Sequence, residues 1–363
     1  MTASAPESIQ QELAAAIDAA PPGSVADHCL IELPASEPPW LDTGLALSAG
    51  DVVTIVRHGR ISLGDSELWL PSGFNVWARV GGRGPLERGT RPSHTFVAPR
   101  NGNLELGNAQ PAEWTDQDGA IADDPAIYAL MAGHSTVLAI RWSPGTDPTE
   151  CLRAMGDRTS GNLACYFGGE ADRLQGNPGI PPEGWEHLWY VGPSEVFSRA
   201  DGMIVCATQG DAAIICRPAD MLLTADITLS WEWKVDQLPS TQPENAFETH
   251  DYMSIAVEFD DGQDLTYHWS AALEPETTYR CPLPHWSERE THLVVRSGTE
   301  GLGRWLSESR PVMADHQAAI GGTAPARIVA VWLIALSCMQ RLEGHCEYRD
   351  IILSSGAGSV PIH

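Results

Sequence analysis

Alternation of apolar and polar residues along most of the chain predicts β-strands, because successive side chains of a strand point to opposite faces. In the amino-terminal half the pattern covers residues 51–63, 74–82, 94–108 and 135–145. In the carboxy-terminal half it covers residues 202–208, 212–219, 227–235, 252–260, 264–272, 291–298 and 327–337. The last of these segments is apolar on both faces, which predicts a central strand. Turn residues separate the segments, and this arrangement is typical of β-sandwiches.

Two segments depart from the strand pattern. Residues 8–20 predict a short amphipathic helix. Residues 146–184 are rich in Gly and Pro, and we interpret them as a linker or a long excursion between domains. The predicted fold is therefore all-β, with two β-sandwich domains and a short amino-terminal helix. The predicted boundaries are 1–39 for the helix and lead-in, 40–145 for the first sandwich, 146–184 for the linker and 185–356 for the larger sandwich.

In the second sandwich, alternation assigns side chains to the two faces of each strand. Large apolar side chains, including Trp231, Tyr267 and Trp269, share what should be the core face. The opposite faces collect hydroxyl and ionisable side chains. If these strands are neighbours, one sheet face carries Glu232, Lys234, Glu258, His268, His292 and Arg296. Such a face offers acid/base groups and anion donors, although any sheet with one solvent-exposed face also carries charges.

The stretch between two of these strands contains Asp260, Asp261, Gly262 and Asp264 and has the composition of a calcium loop. The EF-hand spacing D-x-D-x-D-G is absent. An Asp-Gly turn between alternating strands needs no metal. The sequence therefore predicts a plain hairpin turn.

The chain is strongly acidic, with a formal net charge of −26 and Lys234 as its one lysine. Such a surface repels phosphate backbones and anionic headgroups, so neither nucleic acid nor a membrane is expected as a partner. The amino-terminal residues lack the features of a secretory signal, which predicts a cytoplasmic protein. The cysteines are scattered without a CxxC pair and are expected to be reduced.

Motifs of common enzyme classes are missing: there is no G-x-S-x-G elbow, no dinucleotide-binding or Walker A loop, and no H-E-x-x-H. Cys281, His285 and His292 suggest zinc, but their spacing matches no zinc pattern, and a Pro-rich turn is the simpler interpretation. His250 and Asp251 are strand neighbours that would point to opposite faces. Asp251 is therefore interpreted as a turn cap rather than the partner of a general base.

Residues 40–119 resemble the calcium-dependent galactophilic lectin of PA-IL type. The resemblance rests on WLDTGLALSAGDVVTIVRHGRISLG, RVGGRGPLERGTRPSHTFVAPRNGNLELGN and DQDG. It implies a small β-sandwich in which a loop holds one calcium ion that sugar hydroxyls bind. The positions that match this loop are Asn108, Asp116 and Asp118.

Residues from about 181 to 355 resemble the domain-of-unknown-function family 3047. This resemblance implies a β-sandwich of jelly-roll type, akin to carbohydrate-binding modules, with no established activity. It is carried by PPEGWE, LSWEWKVDQLP, DYMSIAVEFDDGQDLTYHWS, THLVVRSG, LGRWLSESR and RIVAVWLIA.

Two hypotheses of function follow. The first is a cofactor-independent lyase or cyclase acting on a natural-product or sugar-like substrate, bound in a Trp-lined cleft between the two sandwiches. His268, Glu258 and His292 would be catalytic, and the substrate-binding residues would be Lys234, Glu232, Arg296, Tyr267 and Trp269. The second is a non-catalytic, calcium-dependent carbohydrate-binding protein that uses Asn108, Asp116 and Asp118. The first needs no cofactor, and calcium is the one ion that the second requires.

Overall fold

The structure, a computed structural model, describes residues 6–63, 69–88, 91–109, 113–121, 124–176 and 180–363. Its contacts divide the chain into two compact units, Met1–Gly179 and Ile180–His363. The division falls inside the segment that was predicted to separate two domains. Both units are built mainly from β-sheets, so the predicted all-β class is confirmed.

The amino-terminal unit is a sandwich of two sheets. The larger sheet has the order β1-β9-β3-β4, with β7 also paired to β3, and the smaller has the order β2-β8-β5-β6. Apolar side chains from both sheets, among them Val53, Ile55 and Leu104, form the core between them. The strands are β1 (Val25–Pro34), β2 (Leu41–Leu47), β3 (Val52–Leu63), β4 (Trp69–Pro71), β5 (Val76–Val80), β6 (Arg83–Glu87), β7 (Ser93–Val97), β8 (Gly102–Asn108) and β9 (Met131–Trp142).

Helices cover the outer face of the larger sheet. A second apolar cluster joins Leu13, Leu152 and Phe167 on three of the helices to Leu138 and Ile140 on β9. The helices are α1 (Pro6–Ala16), α2 (Ser72–Asn75), α3 (Pro148–Arg158) and α4 (Gly161–Gln175). Helix α1 agrees with the predicted amino-terminal helix. No helix among the described residues is long and apolar enough to cross a membrane.

The linker interpretation of residues 146–184 is wrong for most of its length, because α3 and α4 lie within it. Pro148 is the first residue of α3, and the side chain of Asp147 accepts a hydrogen bond of 2.8 Å from the N–H of Thr149. Proline and a capping aspartate thus start a helix here rather than interrupt one. The predicted lead-in 1–39 is also corrected, because β1 pairs with β9 along its length and belongs to the sandwich.

The carboxy-terminal unit is a larger sandwich. One sheet has the order β10-β13-β20-β15-β16-β18-β17, and the other has the order β11-β12-β21-β14-β19, with β22 paired to β21. The core between them contains Trp231, Trp233, Tyr267 and Trp269. The elements are β10 (Glu186–His187), β11 (Phe197–Ala200), β12 (Met203–Gln209), β13 (Ala212–Leu222), β14 (Thr228–Gln237), β15 (Tyr252–Phe259), β16 (Asp264–Ser270), β17 (Thr278–Arg280), β18 (Glu290–Ser297), β19 (Leu306–Pro311), α5 (Val312–Ala319), β20 (Arg327–Leu336), β21 (Glu343–Ser355) and β22 (Gly358–Pro361).

The acidic stretch at 260–264 is a hairpin turn between β15 and β16, as predicted. Gly262 has φ of 81°, a left-handed conformation that glycine adopts without strain. The side chain of Asp261 accepts a hydrogen bond of 3.0 Å from the N–H of Gln263. The acidic side chain therefore shapes the turn.

Strand β20 lies inside the seven-stranded sheet, between β13 and β15, which confirms the predicted central strand. The outer face of this sheet is also covered. Ser254, Thr266, His268 and His292 point to that face and are 0% exposed. The polar face that alternation predicts is thus an interior layer. His250, from the connection before β15, packs against His292, and Tyr279 of β17 packs beside His268 and His292 on the same face.

Candidate functional site

The residues predicted to share one sheet face lie on two different sheets. Glu232 and Lys234 belong to β14 in the six-stranded sheet, whereas Glu258, His268 and His292 belong to the seven-stranded sheet. The prediction of one shared face is wrong because β14 pairs with β19 and β21 rather than with β15 or β16. The proposed catalytic and substrate-binding groups are therefore not assembled in one site, although the rings of His268 and His292 lie 5.5 Å apart on the neighbouring strands β16 and β18.

The two β14 side chains make ion pairs on their own sheet. Glu232 accepts a hydrogen bond of 2.7 Å from Nε of Arg349, which lowers the pKa of its carboxyl. The ammonium group of Lys234 donates to Glu347 over 3.1 Å, and this hydrogen bond raises the pKa of the lysine. Both charges are compensated within the sheet.

Arg296 does not share a face with His292. The pairing of β16 with β18 is irregular after His268, so that Arg296 lies opposite Trp269. Its guanidinium lies 5.8 Å from the centre of the Trp269 ring and pairs with Glu308 of β19. Strict alternation fails at this irregularity. Tyr267 and Trp269 are buried in the core and cannot line an open cleft.

Glu258 is also not next to His268. The cross-strand neighbour of His268 is Ser254, while Glu258 lies opposite Asp264. Four residues along a strand correspond to roughly 13 Å. The Glu258 carboxylate lies 3.7 Å from Arg289 instead, and burial outweighs the arginine in raising the pKa of Glu258.

His292 belongs to a buried group that we call the His–Cys–Glu cluster: His250, Cys281, Glu290 and His292. One ligand atom from each residue lies within 4.8 Å of the ligand atoms of the other three. Cys281 Sγ is 3.2 Å from His250 Nε2, and His292 Nε2 is 3.4 Å from Glu290 Oε1. Donor atoms of this kind at these distances can coordinate a metal ion.

Neighbouring groups fix the orientation of the cluster. The backbone carbonyl of Glu244 lies 2.5 Å from Nδ1 of His250, so this nitrogen carries the proton and Nε2 faces the cluster. The hydroxyl of Tyr252 donates to Glu290 Oε1 over 2.9 Å. The hydroxyl of Thr266 donates to the same oxygen over 3.2 Å. These hydrogen bonds fix the positions of the His250 and Glu290 side chains.

Burial determines the charge states around the cluster. It lowers the pKa of His250 to about 3 and the pKa of His268 well below its usual value, so both imidazoles are neutral. Burial alone would raise the pKa of Glu290, but the neighbouring His292 outweighs it and the carboxyl remains ionised. His268 is not a member of the cluster; its Nε2 lies 3.2 Å from the hydroxyl oxygen of Tyr279, within hydrogen-bond distance.

The sequence pattern indicates two members of this cluster, Cys281 and His292, although their spacing favours a Pro-rich turn over a zinc site. Cys281 and His292 were considered as zinc ligands, but His285 is not a member, and His250 and Glu290 were not included. The signal was the spacing of Glu290 and His292, which places both on one face of a strand. The cap interpretation of Asp251 agrees with the structure, where its carboxylate accepts from the N–H groups of Met339 and Gln340.

The three predicted calcium ligands each make hydrogen bonds within the protein. Asn108 is buried; its amide donates to the carbonyl of Pro34 and its oxygen accepts from Asn75. Asp116 Oδ1 accepts from two backbone N–H groups, and Asp118 Oδ1 accepts from one. Calcium needs six or more oxygens, and these three side chains offer few free ones. Calcium binding through this loop stays a prediction.

Loops at one end of the carboxy-terminal sandwich form an open groove of about 730 Å³, which we call the end groove. It lies where β12, β14, β16 and β18 end and β21 begins. Most of its side chains are polar, and three leucines supply apolar surface. The lining residues are Gln209, Asp236, Gln237, Leu238, Ser240, Thr241, Ala271, Thr299, Leu302, Arg341, Leu342 and Glu343.

Several solved structures are similar to parts of the chain. The EclA N-terminal domain, a PllA-like lectin, is 19% identical, with 31% of this chain and 95% of that chain covered and a TM-score of 0.25. The xyloglucanase domain of NopAA from Sinorhizobium fredii is 8% identical, with 48% of this chain and 96% of that chain covered and a TM-score of 0.31. The CBM22-1–CBM22-2 tandem domain of Paenibacillus barcinonensis Xyn10C is 10% identical, with 88% of this chain and 83% of that chain covered and a TM-score of 0.23.

The search of curated proteins found no match. A family model does match, and the matched residues lie entirely within the carboxy-terminal unit. Its extent agrees with the resemblance inferred from sequence. Residues 184–352 match the family described as Protein of unknown function (DUF3047).

Proposed function

We propose that the protein binds a neutral saccharide in the end groove, without catalysis. The observation that carries this proposal is the chemistry of the groove lining. Its volume of about 730 Å³ is typical of a small-molecule site. Sugars present hydroxyls that both donate and accept hydrogen bonds, and C–H faces that need apolar contact.

The groove offers partners for both parts of a sugar. The side chains of Gln209, Gln237 and Glu343 are exposed and make no hydrogen bond to the described residues, so they are free to bind hydroxyls. Amide and carboxylate groups have paired polar atoms that can engage two neighbouring hydroxyls. Leu238 and Leu302 supply apolar surface beside them.

Charge favours a neutral ligand. The groove carries the carboxylates of Asp236 and Glu343 against the guanidinium of Arg341, on a chain with a net charge of −26. An anionic ligand would be repelled. The lectin resemblance of residues 40–119 supports the same ligand class independently of the groove.

Binding is favoured over the lyase or cyclase hypothesis by the placement of its key residues. His268 is buried and neutral, Glu258 lies four residues along β15 from the cross-strand neighbour of His268, and Lys234 belongs to the other sheet. A proton-transfer group must reach its substrate within hydrogen-bond distance. If the substitution His268→Ala abolished a measured turnover, that result would support the enzyme hypothesis instead.

The test is a glycan array with the full chain, followed by titration calorimetry with the best neutral glycan. Gln237→Ala and Glu343→Ala should each weaken binding roughly two- to tenfold, as expected for the loss of one or two hydrogen bonds. Gln317→Ala is the matched control, because Gln317 is exposed on α5 outside the groove. Unchanged affinity in both groove variants would contradict the location.

EGTA separates this site from the lectin-like loop. Binding in the end groove should be unaffected by EGTA, because no calcium ligand set is part of it. Loss of binding in EGTA and in Asp116→Asn would instead place the saccharide at the loop of Asp116 and Asp118. No binding to any glycan would overturn the proposal altogether.

A further inference from the structure

We propose that the His–Cys–Glu cluster binds one transition-metal ion of the zinc type in a closed, structural site. The donors are two imidazole nitrogens, one thiol sulfur and one carboxylate oxygen, from His250, His292, Cys281 and Glu290. Nitrogen and sulfur donors select zinc and similar ions over magnesium and calcium. Four protein ligands leave no open position, which is typical of structural sites.

The distances already approach a tetrahedral set. Ligands at the usual zinc bond lengths are roughly 3.3–3.8 Å apart at the corners of a tetrahedron. Cys281 Sγ and His250 Nε2 are separated by 3.2 Å, and His292 Nε2 and Glu290 Oε1 by 3.4 Å. The remaining pairs lie within 4.8 Å. A contraction of roughly 1 Å would complete the shell around an ion.

Neither nitrogen of His292 has hydrogen-bond geometry with the described residues, although the side chain is 0% exposed; the 3.4 Å from Nε2 to Glu290 Oε1 is an ion-pair distance. A buried polar group without a partner is costly, and such groups are rare in folded proteins. A metal ion bound to Nε2 would satisfy the nitrogen that faces Glu290. The metal would then lie where the ligand atoms of His250, Cys281 and Glu290 converge on His292.

A divalent ion also balances the charge. A Cys281 thiolate and the Glu290 carboxylate carry two negative charges, and the two histidines bind as neutral imidazoles. The complete site would then be neutral, which suits its full burial. The carbonyl of Glu244 on His250, and the hydroxyls of Tyr252 and Thr266 on Glu290, orient the ligands in the way that outer hydrogen bonds orient metal ligands.

The site would tie three segments together. His250 precedes β15, Cys281 follows β17, and Glu290 and His292 are on β18. One ion would fasten the covering connections to the outer face of the seven-stranded sheet. This proposal does not rest on saccharide binding, and the end groove shares none of the four ligands.

A second group with ligand spacing provides an internal comparison. Asp236, His345 and Glu347 also have ligand atoms within 4.8 Å of one another. The ammonium group of Lys234 lies 3.5 Å from Asp236 and 3.1 Å from Glu347 and already supplies positive charge there. His345→Ala should therefore leave the metal content unchanged.

The test is elemental analysis of the untagged full chain, dialysed against excess zinc and then against metal-free buffer. The wild type should retain about one zinc per chain, and Cys281→Ala should retain less than about a tenth of that. Cys206→Ala is the matched control: a buried cysteine of the same unit that lies in the core outside the cluster. It should keep the metal.

Cobalt substitution of the wild type keeps the test decisive if Cys281→Ala does not fold. Bound Co²⁺ should show a thiolate charge-transfer band and the strong visible bands of a tetrahedral centre. No retained zinc and no such cobalt spectrum would overturn the proposal. Retention by Cys281→Ala, or loss in His345→Ala alone, would also overturn it. Saccharide binding measured on the same samples tests the proposed function independently of the metal result.

Discussion

At the scale of single residues, sequence alternation assigns a side chain to a face but does not reveal its exposure. Tyr267 and Trp269 lie in the core, as alternation predicts for their face. His268 lies on the opposite face, also as predicted, yet it is as buried as they are. The missing information was the covering connections, which have no periodicity that sequence reasoning could use.

Glu170 provides a residue-scale prediction in the amino-terminal unit. Its side chain is fully buried and accepts two hydrogen bonds from Arg173, at 2.7 and 2.8 Å. Burial raises the pKa of Glu170, but the bonds and charge of Arg173 outweigh it, so the pKa is lowered overall. We expect Glu170→Gln to reduce the free energy of unfolding at pH 7 by about 3 kcal/mol, because the buried ion pair with Arg173 is broken.

The pH dependence follows from the lowered pKa. The contribution of Glu170 is fully present above the pKa of the unfolded state and is lost as pH falls through the lower folded-state pKa. The difference between wild type and Glu170→Gln should therefore be constant near neutral pH and shrink below about pH 4. Urea unfolding at several pH values measures this. Exposed Glu150→Gln is the control, and a difference that grew in acid would contradict a lowered pKa for Glu170.

At the scale of elements, regular strands were predictable and their irregular connections were not. The strands around the 260–264 turn lie where alternation placed them. Helices α3 and α4 were missed because glycines and prolines at their ends looked like a linker. The buried spacing within them, such as Leu163, Phe167 and Ala171, is the helical period that was overlooked.

Glu244 should determine the stability of the covering connection that precedes β15. Its carboxylate accepts hydrogen bonds from the hydroxyl of Ser270 at 2.5 Å and the N–H of Ala271 at 2.6 Å. Glu244→Ala would leave both donors without partners and cost about 2 kcal/mol. Hydrogen exchange should rise in residues 240–251. Exposed Glu248→Ala in the same segment should not have this effect, and equal exchange in both variants would refute the role of Glu244.

At the scale of the whole molecule, the sequence predicted the fold class correctly, but it did not predict which residues lie together in a site. The turn-rich sequence indicated sandwiches, and the chain has two units of that kind. The sequence-derived site was scattered because it required β14 to neighbour β15 and β16, and sheet order cannot be read from strand patterns alone. The end groove was missed for a related reason: it is assembled from the ends of strands that are distant in sequence.

The most direct test of the proposed function is hydrogen exchange of the full chain with and without its best neutral glycan. We expect protection in residues 236–241 and 341–343, the two segments that supply most of the end-groove lining. The lectin-like loop at 113–121 should exchange at the same rate in both samples. Protection confined to that loop, or protection of neither region under saturating glycan, would contradict the claim that the end groove is the saccharide site.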